Sequence, residues 1–117
     1  MVQGRITVKI LIQTDEDRLS LRDGNIKALS GGKEYTIDIS RVEQAVIITT
    51  DMGPFYDDMA LALRTDDGNA VFILSSHPDY EAFLFDSLGK TLEIDYQAII
   101  DASSCTENKI FVIYNRD

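Results

Sequence analysis

Apolar and polar residues alternate over short stretches separated by turn-forming residues, a pattern that predicts strands. Residues 5–13 read Arg-Ile-Thr-Val-Lys-Ile-Leu-Ile-Gln, β-branched and partly alternating. Thr14-Asp15-Glu16-Asp17 is a polar turn. Short strands follow at 19–22 and 25–29, joined across Asp23-Gly24, a strong hairpin signal. Ser30-Gly31-Gly32-Lys33 is a second turn, and residues 34–39 alternate Tyr35, Ile37 and Ile39 against Thr36 and Asp38. Residues 45–50 form a strongly apolar strand. Residues 59–65 and 69–75 form the clearest hairpin, across Asp66-Asp67-Gly68, and residues 109–114 close the chain as a strand.

The period changes from two to 3.6 in two places. Ser40 and Glu43 have the spacing of a capping box, with room for one helical turn. After Ser76, a candidate N-cap with Asp79 three residues on, Pro78 fits a first turn. Tyr80, Phe83, Leu84 and Leu88 then share one helical face, and Gly89 is placed as the residue that ends the helix. A second helix is predicted from Asp95 as N-cap to about Ser103, with Ala98, Ile99 and Ala102 inward. Consecutive strands joined by tight turns, followed by helices, predict one α+β domain spanning residues 1–117. The expected architecture is an antiparallel, strongly bent sheet or half-open barrel, covered by the first helix so that both apolar faces are buried. Two helices lie in its C-terminal part, and a strand closes it.

Charge divides the chain. Residues 1–50 carry seven acids and seven bases, whereas residues 51–107 carry twelve acids against Arg64 and Lys90 alone. The net charge is −9. That balance argues against general nucleic-acid binding, which needs basic patches. It fits either a solubilising surface or an acidic face for a basic protein. The start, Met1 to Ile6, has no basic segment leading into an apolar core, so no export signal is expected. The longest apolar runs, such as Ala45-Val46-Ile47-Ile48, fall far short of the ~20 residues a membrane span needs. Cys105 is the only cysteine, which excludes a disulfide scaffold and suits a reducing cytoplasm.

Residues 35–47 give a strand, a serine-capped turn and a strand. Residues 61–73 give a hairpin leading to a helix near Pro78. Together these stretches resemble the small pleckstrin-homology-like (PH-like) and GRAM-like β-domains. The resemblance covers about the middle half of the chain. It departs at the second helix and the closing strand, and the acidic charge is opposite to what phosphoinositide binding requires. The resemblance therefore implies a scaffold for protein contacts.

Candidate chemistry is sparse. Pro54, Phe55 and Tyr56, followed by Asp57 and Asp58, form an aromatic, acidic loop that either packs inward or meets a partner. Asp51, Asp57 and Asp58 could alternatively hold a divalent cation through hard oxygen ligands, although their spacing matches no EF-hand. His77 could activate Cys105, or one of Ser75, Ser76, Ser103 and Ser104, in a small hydrolase-like site. No nucleophile-elbow motif supports this, and His77 and Cys105 also read as ordinary structural residues. Gly31-Gly32-Lys33 lacks the earlier glycine and the following Ser/Thr of a phosphate loop. One His and one Cys cannot complete a zinc shell. The leading expectation is a non-enzymatic cytoplasmic domain that needs no cofactor. It would bind an unknown protein, or itself, through Phe55, Tyr56, Asp57 and Asp58.

Overall fold

Backbone conformation at two turns sets the smaller of two sheets. Asp23 and Gly24 have φ of 52° and 78°, and Gly31 and Gly32 have 59° and 82°. Positive φ at both central positions matches the right-handed twist of flanking strands. The computed structural model describes residues 8–49, 59–105 and 107–116. In it, β2 (Arg18–Arg22), β3 (Asn25–Ser30) and β4 (Lys33–Asp38) form an antiparallel meander. Ser20 lies opposite Lys27, and Lys27 opposite Thr36.

The larger sheet holds β1 (Val8–Ile12), β5 (Val42–Thr49), β6 (Met59–Thr65), β7 (Asn69–Leu74) and β8 (Lys109–Asn115), in the order β1-β7-β6-β5-β8. Its pairs are antiparallel except one. β1 runs parallel to β7, with Ile10 opposite Val71 and Ile12 opposite Ile73. The fold is therefore α+β as expected, but its larger sheet is mixed rather than antiparallel. Tight turns report only on strands adjacent in sequence. A parallel pair needs a long crossover, supplied here by everything between β1 and β7.

The strands divide into two open sheets, where one strongly bent sheet or half-open barrel burying both faces was expected. They approach at β1 and β3, where the Ser30 hydroxyl donates to the Leu11 carbonyl at 2.6 Å. Between them lies one core that includes Ile10, Ile12, Leu19, Ile26, Ile37, Ile47, Leu61 and Ile73.

Of three helical segments, the first two differ in detail from the sequence pattern and the third follows it. At the short 3-10 turn, Ile39–Arg41, the cap is Asp38 rather than Ser40. Its carboxylate accepts from the Ser40 N–H and hydroxyl at 2.9 and 2.8 Å. The first long helix, α1, is π-wound over Ala82–Leu88 and ends in an α-helical turn, Gly89–Thr91. Ser76 does not cap it. Tyr80, Phe83, Leu84 and Leu88 enter the core as expected. Gly89 sits inside α1 with φ −62°, not in a left-handed end position. A Cβ there would meet the Tyr96 hydroxyl, the outer end of an exposed side chain, so Tyr96 would have to turn aside. Helix α2, Tyr96–Ser103, is capped by Asp95, whose carboxylate accepts from the Ala98 N–H at 3.1 Å, and it buries Ile99 and Ala102.

Candidate functional site

Asp17, His77 and Asp79 form a polar knot where the β1–β2 turn meets the start of α1. Asp17 is buried, and its carboxylate accepts from the backbone N–H groups of Gln13, Thr14 and Gly31 at 2.9–3.0 Å. Those three donors hold its pKa down, from 3.8 to about 2, against the opposing effect of burial. His77 is buried too. Its Nδ1 accepts from the Asp79 N–H at 3.0 Å, which leaves the ring proton on Nε2. Nε2 donates to the carbonyl oxygens of Thr14 and Asp17 at 3.0 and 3.1 Å. Asp79 turns its carboxylate to the Leu19 N–H at 2.9 Å and to the Arg18 guanidinium at 3.6 Å. That is why it forms no capping pair with Ser76.

This geometry decides what His77 does. A general base needs a free ring nitrogen within reach of a nucleophile. Both nitrogens of His77 are engaged by backbone groups. Cys105 is half-buried elsewhere, its sulfur 3.6 Å from Thr49 Oγ1 and from the Glu107 carbonyl oxygen. Ser103 and Ser104 donate back into their own helix, and the Ser75 N–H bonds the Met59 carbonyl. The ring partners of His77 are the backbone groups of Thr14, Asp17 and Asp79, so the structure hydrogen-bonds it to neither Cys105 nor Ser75, Ser76, Ser103 or Ser104. Asp51, Phe55, Tyr56, Asp57 and Asp58 lie outside the described residues. Among the described residues, no group of three His, Cys, Asp or Glu side chains is placed to hold a metal ion, and no helix is long and apolar enough to cross a membrane.

A second ionic cluster ties the chain's last strand to the hairpin. Arg116 contacts Asp66 at 3.1 Å, Glu43 at 3.8 Å and the Ser40 carbonyl at 3.0 Å. Arg41 joins Asp66 at 3.1 Å, and Arg64 joins Glu43 at 3.4 Å. The two guanidiniums lower the Asp66 pKa. Every member is paired, so the cluster reads as a staple across β5, β8 and the β6–β7 turn.

The outer face of the larger sheet is different. Registers across all five strands place Leu11, Phe72, Ala62, Val46 and Val112 in one row. Leu74, Ala60, Ile48 and Ile110 form the next row. Nine apolar residues thus pave a surface about 19 Å across, taking four strand spacings of ~4.8 Å. Leu11, Val112 and Ile110 are 40%, 41% and 66% exposed. A shallow depression of about 130 Å³ lies over Val46, Ala62 and Phe72, with Gln44 and Arg64 at its polar end. The buried residues of both long helices join the core with Ile47, Leu61 and Ile73, on the opposite side of the sheet.

Sequence reasoning placed these residues in strands but assigned their outward face to the interior of a bent sheet. The available signal was the near-continuous apolar character of residues 45–48 and 59–63, which marks strands apolar on both sides. No protein-family model matches the chain, and comparison with curated proteins and with solved structures finds no match for it.

Proposed function

We propose that the chain is a non-enzymatic protein-binding domain that docks through the outer face of its larger sheet. The observation behind this reading is the row Leu11–Phe72–Ala62–Val46–Val112, apolar on all five strands and backed by a core already complete on the other side. Soluble domains that expose contiguous apolar patches of this kind use them as contact sites. The commitment of both His77 nitrogens to backbone groups favours this reading over a hydrolase. The PH-like and GRAM-like resemblance of residues 35–47 and 61–73 accords with a scaffold for protein contacts in the cytoplasm.

Photo-crosslinking tests the reading. A benzophenone amino acid is placed at Ile110 or Val112 on the face and, as control, at exposed Gln97 on α2. Discrete protein adducts from the two face positions, with none from the control, are the expected result. Absence of discrete adducts at the face, or equal adducts from Gln97, overturns it.

A further inference from the structure

We propose that the outer face of the smaller sheet binds a small multivalent anion, held by Arg18, Lys27 and Arg22. This face belongs to the smaller sheet and is separate from the docking surface on the larger one. In β2, Arg18, Ser20 and Arg22 are spaced by two, so all three point to the same side of the sheet. Lys27 pairs with Ser20, so its position on the sheet is diagonal to both Arg18 and Arg22, about 7–8 Å from each along the backbone.

The three cations line an open cleft of about 380 Å³ together with Ser20 and Thr36. Lys27 Nζ donates to Thr36 Oγ1 at 3.4 Å, which holds the ammonium over the cleft. Arg18 shares its charge with Asp79 at 3.6 Å but keeps 60% of its side chain exposed. Arg22 has no ion pair among the described residues. Three like charges on neighbouring positions of one sheet face are mutually destabilising. Among the described residues only Arg18 of the three has a carboxylate partner, Asp79, although the chain's net charge is −9. An anion bridging them removes that repulsion and gains charge-assisted hydrogen bonds from two guanidiniums, an ammonium and two hydroxyls.

The surroundings limit the size of the ligand. Glu34 lines the cleft, diagonal to Lys27, and Asp79 flanks Arg18. The other carboxylate on this face, Asp38, is already engaged by Ser40. A positive zone fenced by carboxylates accepts a compact anion and repels the continuation of a long polyanion. The matching chemistry is therefore a compact tri- or tetra-anion built from carboxylate or phosphate groups, and Leu29 offers an apolar wall for an organic body.

Titration calorimetry at low ionic strength tests this, with citrate as the carboxylate probe and pyrophosphate as the phosphate probe. Saturable binding of one or both is expected, and the preferred probe identifies the chemical class. The double variant Arg22→Gln/Lys27→Gln should weaken that binding about tenfold or more, one decade in the dissociation constant. The control Lys9→Gln/Lys109→Gln should leave it unchanged. Amide shifts in the wild-type protein give a readout that does not depend on the variant folding. They should move within residues 18–36 as the probe is added. Failure of both probes to bind at about 10 mM, where even affinities weaker than the −4.1 kcal/mol of a millimolar complex register, overturns the proposal. So do shifts centred outside residues 18–36, or equal weakening in the control variant.

Discussion

The His77 ring donates from Nε2 to the Asp17 carbonyl oxygen at 3.1 Å, joining residues sixty positions apart. Through the same ring, the entrance to α1 is tied to the β1–β2 turn at Thr14 and braced by the Asp79 N–H. Replacing His77 with alanine deletes all three interactions inside the protein, where unmade hydrogen bonds carry their full desolvation cost. The expected loss is on the order of 2–3 kcal/mol in urea unfolding. Amide exchange should accelerate at residues 13–19. A loss below about 0.5 kcal/mol, the range of ordinary surface changes, would show that the knot is not structural.

Asp17 makes acid stability predictable in sign. Its pKa is 3.8 when free and about 2 in the fold. A depressed carboxylate contributes stability that is fully present above its unfolded value and is lost as pH falls through its folded one. The wild-type melting temperature should therefore drop between about pH 4 and pH 2. Asp38 and Asp66 are also depressed and act in the same direction, so the comparison that isolates Asp17 is with Asp17→Asn. That variant should be less stable at pH 6 and show a shallower fall below pH 4. Parallel curves for the two proteins would contradict the assignment.

The strands and hairpins were legible because their signals are local. Asp23-Gly24, Gly31-Gly32 and Asp66-Asp67-Gly68 each specify a turn within a few residues, and the strands around them follow. What escaped depends on distance along the chain. The parallel pairing of Ile10 with Val71 has no turn to announce it. The polar knot forms only when Asp17, Gly31 and His77 meet in three dimensions. His77 was visible as a residue capable of chemistry. Its use of both nitrogens on backbone groups was not. Ser40 lost its capping role to Asp38 because an extended Asp38, with ψ of 130°, aims its carboxylate at the next turn.

Gly89 tests whether contact or conformation selected glycine. Its φ of −62° is open to any residue, so helix propensity alone makes Gly89→Ala stabilising by about 0.8–1 kcal/mol. The Tyr96 hydroxyl occupies the space that the new methyl needs. Tyr96 also stacks on Phe85, with centroids 6.4 Å apart and planes 12° from parallel. Gly89→Ala should therefore stabilise the wild type by less than the full propensity gain, because Tyr96 must turn aside from this position and from its stack on Phe85. In a Tyr96→Phe background, where the obstructing oxygen is gone, the same change should recover most of the propensity gain. A double-mutant cycle measured by thermal melting reads the difference. Zero coupling would assign Gly89 to something other than Tyr96.

Adjacent residues of β5 separate the two faces of the larger sheet. Ile47 is fully buried, between Leu61 and Phe111 in the pairing register, and belongs to the core. Ile48 points the other way, half-buried between Ala60 and Ile110 on the outer face. Truncating Ile47 to alanine leaves a cavity that neighbouring strands cannot fill, at a cost of about 2–5 kcal/mol. Ile48→Thr keeps the β-branched shape that a strand favours and gives up only partly exposed apolar contact, so its cost should stay below about 1 kcal/mol. The asymmetry reverses in association. Ile48→Thr places a hydroxyl in the middle of the proposed docking surface and should reduce adduct yield from a benzophenone at Ile110 while the melting temperature barely changes. A mild Ile47→Ala together with a severe Ile48→Thr would mean that the sheet buries the opposite face, and the docking surface would have to be sought elsewhere.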